Sequence, residues 1–507
     1  MNQVKAGAAL NYVTIILNTL VGLLYTPYML RMLGQNEYGL YSLVSSVIAY
    51  LTLLDFGFGN AIIRYTAKYR AENKYDEQWR MFGMFVIVYS IIGLIAFIGG
   101  LGLFFNVDAL FDKTMTETDL TQARTMMFLL TLNLAFTFPL SVFGSIISAY
   151  ENFIFQRLVS IIRIIVSTFV MIALLHIGYK AISLVVVHTV FNLVVLLINL
   201  LYCYRKLHIR ISFGRFDLKF IREISIYSFW IFLNAIMDKI YWGTGQFVLG
   251  AISGTIAVAI FSVAILLQQM YMTFSSSISS VLLPKVTAMV TKNKPTNQIS
   301  DLFVRTGRIQ YLILSLVLSG FIIFGQQFIE IWAGTDYSQS YVITLIFIVS
   351  LLIPLIQNTG IVILQARNQM KFRSLLYLAI SLVSLAFQIV LSKYYGVLGC
   401  AISIGGALLV GQGLIMNIYY YRSQSIDIPV FWKEIGKLSI VPFTFTICWL
   451  YVNSYLNCDT PVKLFFSILC YTLLYIPCIW KYGMNDVEKG MILNPLRQIN
   501  KFIKNIE

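Results

Sequence analysis

The chain has 507 residues, 58% of them hydrophobic and 12% charged, with a formal net charge of +15. A soluble domain carries roughly 25% charged residues, so a surface this apolar excludes a soluble fold. The charges sit in loops between apolar runs, which argues against nucleic acid as the reason for the basic balance. Lys and Arg in such loops instead hold them on the cytoplasmic side of a membrane. Inside a bilayer, backbone groups must pair within the protein, so spans are helices or a closed barrel. Barrel strands alternate apolar and polar residues in segments of about ten. Here the runs are continuous, as at 91–105 and 311–324 with their flanks, and reach helix length for a hydrocarbon core of roughly 30 Å.

In chain order, the apolar runs predict about fourteen transmembrane helices. They fall near 8–30, 39–63, 81–105, 124–148, 158–177, 180–203, 224–250, 255–283, 303–329, 340–365, 372–392, 396–420, 437–456 and 462–481. Trp332, Trp432, Trp449 and Trp480 lie near span ends, where interfacial aromatics belong. With the N-terminus in the cytoplasm, 29 of the 37 Lys and Arg residues fall on the cytoplasmic side and six on the outer side, with Arg163 and Lys239 inside spans. Arg305 and Arg308 belong to the cytoplasmic set. One missed helix would scramble that alternation, so both termini are predicted cytoplasmic. No cleavable signal peptide is visible. The six cysteines have no C-x-x-C spacing, and neither a disulfide framework nor a zinc site is supported.

The longest basic connection, 204–223, separates the sixth and seventh spans and divides the chain into comparable halves. At an offset of 220 residues, Gly34, Gly39, Tyr41 and Ser42 fall on Gly254, Ala259, Phe261 and Ser262, and Arg64 falls next to Lys285. Six spans per half is even, so the halves share one topology and are related by an axis along the membrane normal. The expected organisation is an N-lobe at 1–203, a cytoplasmic basic linker at 204–223, a C-lobe at 224–421, and two further helices with a cytoplasmic tail at 422–507.

An ionisable side chain at the bilayer centre costs at least ~2.5 kcal/mol, so those within spans need partners, water or a function. Asp238 and Lys239 stand mid-way along the seventh span and point about 100° apart on a helix. They read as an ion-coupling carboxylate and a cationic substrate contact, or as a polar bridge between helices. Asp55 lies in the second span, within Leu-Asp-Phe-Gly-Phe-Gly, which has no preceding strand and is no dinucleotide loop. Arg64 follows at the cytoplasmic end of that span, placed to snorkel or to bind phosphate. Arg163 is deeper in the fifth span than an anchor usually sits. Arg31 ends the first span on the outer side, unfavoured for a cation. His188 reads as structural. Pro27, Pro139, Pro284, Pro354 and Pro442 are placed to kink spans. No catalytic constellation appears, no P-loop is present, and loops are mostly under about twenty residues, so the chain reads as no enzyme.

With these residues in view, the chain resembles the polysaccharide exporters of the multidrug/oligosaccharidyl-lipid/polysaccharide (MOP) superfamily, and among them the O-antigen and capsule-unit flippases. The resemblance is carried by Tyr25-Thr26-Pro27-Tyr28-Met29-Leu30-Arg31-Met32-Leu33-Gly34, Glu37-Tyr38-Gly39-Leu40-Tyr41, Leu53-Leu54-Asp55-Phe56-Gly57 and Ala61-Ile62-Ile63-Arg64-Tyr65. In the second half it rests on Asp238, Gly254-Thr255, the run 258–264 and Pro284. It implies two six-helix lobes around a central cavity and a multi-pass protein of the bacterial cytoplasmic membrane. The implied cargo is a polyprenyl-diphosphate-linked oligosaccharide, moved to the outer leaflet for lipopolysaccharide, O-antigen or related surface polysaccharide assembly. Alternating access would be driven by a proton or sodium gradient, with no cofactor.

Family cations facing the diphosphate carry over best to Arg64, which sits at a motif position. Arg163, Lys239, Lys285 and Arg31 join it on depth and charge, and Asp238 and Asp55 are the candidates for ion coupling. Further partners are membrane lipids and the polysaccharide polymerase and chain-length proteins. No nucleic acid is expected, and a monomer is. Two alternatives stay open: a multidrug cation antiporter of the same fold, and an integral membrane polysaccharide polymerase or ligase.

Overall fold

The computed structural model describes residues 3–214, 232–280, 283–292, 294–453, 460–490 and 493. Among them no strand occurs. The principal helices are α1 (Gln3–Leu51), α2 (Phe58–Ala71), α3 (Tyr75–Phe105), α4 (Glu117–Ala149), α5 (Phe153–Ile177), α6 (Ala181–Arg205), α7 (232–242), α8 (Thr244–Ser253) and α9 (Thr255–Ser280). They continue as α10 (Leu283–Thr291), α11 (Thr296–Trp332), α12 (Ser340–Ile356), α13 (Asn358–Ala366), α14 (Lys371–Leu408), α15 (Met416–Gln424), α16 (Ile428–Asn453) and α17 (Pro461–Tyr482). Local signals set several of these starts. Thr116 and Asp119 form a reciprocal capping box on α4, and Thr460 caps α17 ahead of Pro461.

The chain is an all-helical, multi-pass membrane protein. Eleven described segments are long and apolar enough to cross a bilayer. Two of them, Ala9–Ala71 at 63 residues and Lys371–Gln424 at 54, are far too long for one crossing. Each carries a glycine in the left-handed region, Gly34 at φ 74° and Gly396 at φ 53°, where the helix reverses. The sequence expects a loop over 31–38; the reversal takes one residue. The span expected at 224–250 begins in 215–231, outside the described residues, and continues as α7 and α8. Cys458 also lies outside them.

By contact the chain forms two compact units, Met1–Ser262 with Leu385–Cys400, and Val263–Ser384 with Ala401–Glu507. In the first, α3 lies along α4, α4 along α6, and α1 along α5. Small residues allow that approach: a Cβ on Gly93 would meet the Ala135 carbonyl at 2.7 Å. Asn192 of α6 donates to Asn133 Oδ1 and Thr137 Oγ1 of α4, each at 2.8 Å. After α6 the chain runs as a strap along the start of α3. Ser212 N donates to Trp79 O at 3.2 Å, the Arg210 guanidinium covers the Trp79 ring at 5.5 Å, and Ser212 O sits against Gly83 with no space for a side chain. Half of the expected basic linker is therefore pinned to α3.

In the second unit, α11 packs against α12, α16 and α17. Tyr471 and Tyr475 of α17 hydrogen-bond Ser319 and Ser315 of α11 at 2.6 and 3.1 Å. Phe445 and Trp449 of α16 close the same aromatic cluster. Trp332 and Trp449, read from the sequence as interfacial aromatics, are buried, and Trp432 donates to Asn417 Oδ1 at 2.9 Å.

Candidate functional site

The second expected span, 39–63, is not one helix. After α1 the chain tightens into a 3-10 turn over Thr52–Asp55, and Phe56 (φ 50°) and Gly57 (φ 71°) follow in the left-handed region before α2 starts at Phe58. The glycine-spaced sequence permits this. Gly57 accepts the conformation freely, whereas Phe56 adopts one costing an L-residue roughly 1–2 kcal/mol. Asp55 sits at the break, half-buried. Its Oδ1 accepts from the Tyr89 hydroxyl of α3 at 2.6 Å. Tyr89 is 1% exposed, with its ring among Phe58 and Phe138.

The structure brings α7 against this break. The Phe56 and Phe232 ring centroids are 4.5 Å apart. Tyr50 OH lies 2.6 Å from Thr244 Oγ1 and 3.4 Å from Lys239 O. Asp55 and the Asp238–Lys239 pair, separate features in the sequence, thus stand on neighbouring elements. Asp238 is exposed, Lys239 is half-buried, and their charges interact.

The remaining cations are spread out. Arg64 is exposed on α2, with its guanidinium 5.8 Å over the Tyr65 ring. Arg163 is half-buried on α5, close enough to His188 of α6 for their charges to interact. Arg31 is exposed on α1, three residues before the reversal. These residues, Asp55, Asp238 and Lys239 all belong to the first unit. Lys285 belongs to the second, on α10, and its side chain is outside the described residues. Among the described residues, no group of three His, Cys, Asp or Glu stands ready for a metal ion.

Two polar clusters escaped the sequence reading. Following the Gly34 reversal, Asn36 donates to Asp119 Oδ1 of α4 at 2.7 Å and accepts from Thr255 Oγ1 of α9. The next residue, Glu37, is buried. It accepts from Gln122 Nε2 at 3.2 Å and the Ala181 amide at 3.3 Å, with Lys180 Nζ at 3.5 Å, so it caps the first turn of α6. Beside them Gly39 meets the Thr255 carbonyl with no space for a Cβ, and Thr114 donates to Gly250 O at 2.7 Å.

The second cluster surrounds Arg308. Counted from the sequence only as one of the cytoplasmic cations, it is 5% exposed on α11. Its Nε and Nη2 donate to Glu488 at 2.6 and 3.1 Å, Nη1 to Glu434 Oε2 at 2.9 Å and Glu434 O at 3.3 Å, and Nη2 also to Gly483 O at 3.2 Å. All five guanidinium donors are used. Glu488 is itself held by a reciprocal pair with Asn485. The acids lie 126 and 180 residues downstream, and no local spacing announces them.

A helical bundle with a broken span, carboxylates at and beside the break and dispersed cations defines a multi-pass membrane protein that keeps charged side chains on its helices. The sequence matches the model of the family described as polysaccharide biosynthesis protein over residues 4–290, more than half of its length. The chain belongs to that family. No curated relative matches it by sequence. Among solved structures it is similar to the lipid II flippase MurJ in an inward closed conformation, at 16% identity and TM-score 0.67, over 93% of this chain and 99% of that one. It is also similar to an inward-facing multidrug resistance MATE family transporter of the MOP superfamily, at 14% identity and TM-score 0.62, over 82% and 99%. An outward-facing MATE family transporter of that superfamily follows at 13% identity and TM-score 0.54, over 84% and 94%. At these identities the likeness establishes a shared fold. The neighbours are a flippase and transporters rather than enzymes.

Proposed function

We propose that this protein flips a polyprenyl-diphosphate-linked oligosaccharide from the cytoplasmic to the outer leaflet of the bacterial cytoplasmic membrane, for O-antigen, capsule or related surface polysaccharide assembly. The observation that carries this reading is the likeness to a lipid II flippase along nearly the whole of both chains. In the proposed arrangement fourteen helices form two six-helix lobes, 1–203 and 224–421, joined by 204–223, with 422–507 appended and both termini cytoplasmic. The diphosphate pairs with Arg64 first, then with Arg163, Lys239, Lys285 and Arg31. A planar guanidinium fits phosphate bidentately, which a lysine does not reproduce. The prenyl tail stays in lipid, and no bond chemistry is needed.

Transport is ion-coupled, with Asp55 and Asp238 as the carboxylates. In a six-plus-six division, the contacts of residues 36–50 with 239–255 are those that alternating access breaks. A cation-drug antiporter of the same fold would pair its cargo with acids, whereas five of the seven candidate side chains here are basic. Resistance assays in an efflux-deficient host separate the two readings.

The test is Arg64→Ala in a host deprived of its own exporter. Losing a charge-assisted bond of about 1.5–3 kcal/mol lowers surface polysaccharide roughly 10- to 100-fold at equal membrane abundance, with partial recovery in Arg64→Lys. Normal export by Arg64→Ala removes that residue from the mechanism.

A further inference from the structure

We propose that Asp55 and Tyr89 form a proton-binding hinge, so that the coupling ion is a proton rather than sodium; this rests on the ion-coupled reading above. The argument begins with what surrounds the carboxylate. Sodium, a hard cation, seeks several oxygen ligands, as calcium and magnesium do. Asp55 instead accepts from the Tyr89 phenol, set among Phe58 and Phe138, and from the Gly57 amide, next to the Phe56–Phe232 contact. Ser145 Oγ of α4 packs on Gly59, two residues past Gly57. The 3-10 turn is packed by α1 and α3. From α1 the titratable neighbour is Tyr50, whose hydroxyl is taken by Thr244, and from α3 it is Tyr89. On α7, which contacts Phe56, stand Asp238 and Lys239. An aromatic environment whose polar contacts to Asp55 are hydrogen-bond donors suits a carboxylate that alternates between ionised and protonated forms.

The second argument is the backbone. The phenolic O–H donates to Asp55, and a hydrogen bond to an ionised acceptor is about twice as strong as a neutral one. That bond ties the turn to α3 while Phe56 is held in a conformation unfavourable for it. When a proton from the outer aqueous phase binds a carboxylate oxygen, an O–H bond forms on Asp55 and its charge is lost. Tyr89 keeps its own proton, and its bond falls to the neutral strength. The restraint on Phe56 and Gly57 is then weakest, and the two half-helices are free to realign. Release of the proton to the cytoplasm restores the charged bond and the break. Asp55 is thus the proton site and Tyr89 the positioning residue. α7, touching Phe56, is the element that moves with the hinge.

Infrared difference spectra of the purified full chain in lipid nanodiscs, between acidic and mildly alkaline buffer, read this directly without any cargo. A protonated-carboxyl band is expected that disappears in Asp55→Asn. In Tyr89→Phe the band persists at a higher carbonyl frequency, because the hydroxyl donor is gone, a change that loss of packing alone would not produce. Sodium chloride in place of choline chloride leaves it unaltered. Absence of an Asp55-dependent band, or its removal by sodium, overturns the proposal. The flippase reading fails separately, through unimpaired export in Arg64→Ala. Far-ultraviolet circular dichroism of both variants identifies any that do not fold, and Asp55→Glu, which keeps the acid, should retain a band.

Discussion

Arg308→Leu is expected to lower the unfolding free energy by about 3–5 kcal/mol, the usual cost of removing one partner from a buried ion cluster. The substitution deletes five hydrogen bonds and leaves Glu488, 2% exposed, facing Glu434 with no cation between them. The affected elements are α11, α16 and the 486–490 helix that follows α17. The Tyr471–Ser319 and Tyr475–Ser315 bonds should loosen with them, as they hold α17 to the same helix. Denaturant unfolding in detergent measures the loss, and deletion of the chain from Met484 onward should give a similar one. Replacing all three charges together, with Arg308→Met, Glu434→Leu and Glu488→Leu, should recover most of it, because apolar residues carry no desolvation penalty. A change within about 0.5 kcal/mol for the single variant, typical of a surface site, would show that the cluster is solvated after all.

Gly39→Val is expected to disrupt the contact between α1 and α9 and to abolish export with Arg64 intact. The new Cβ falls on the Thr255 carbonyl, so a backbone must shift; overpacking of this kind costs about 1–3 kcal/mol. Because the obstacle is a main-chain atom, adding Thr255→Gly should not rescue the variant, whereas a side-chain clash would be relieved. In the proposed alternating-access cycle this contact closes the outer face. A cysteine placed at Thr114, in an otherwise cysteine-free chain, should then react faster with a membrane-impermeant thiol reagent in Gly39→Val. An unchanged labelling rate would deny the contact any gating role.

The fold class followed from composition because lipid leaves the backbone few options, and the reversal at Gly34 falls between two expected spans. Individual residues were legible only where their environment is local. The glycines after Asp55 are visible in the sequence, but nothing nearby indicates that Tyr89, 34 residues on, meets that carboxylate. Glu37 appeared only as a family-motif residue, and its job, capping the first turn of α6, depends on a partner 144 residues away. The surroundings of Arg308 are not legible because hydropathy sees a cation near a span end and cannot distinguish a snorkelling side chain from one enclosed by two distant acids. Arg64 and Arg163 were located correctly on their helices, but whether two helices meet depends on tertiary packing.

Glu37 also bears on how the molecule is assembled. A membrane protein is made from its N-terminus, so the first helical hairpin enters the bilayer carrying Glu37 near its turn before that residue's partners, Gln122 first among them, have been made. Lys180 and the Ala181 amide arrive only when the sixth crossing is threaded, and Thr255 later still. The turn is therefore incomplete until four further segments have been delivered, and chains interrupted before residue 181 leave the Glu37 carboxylate with Gln122 at most. Quality-control proteases that survey nascent membrane proteins would meet an under-partnered Glu37 in products truncated before residue 181 and not in the completed chain.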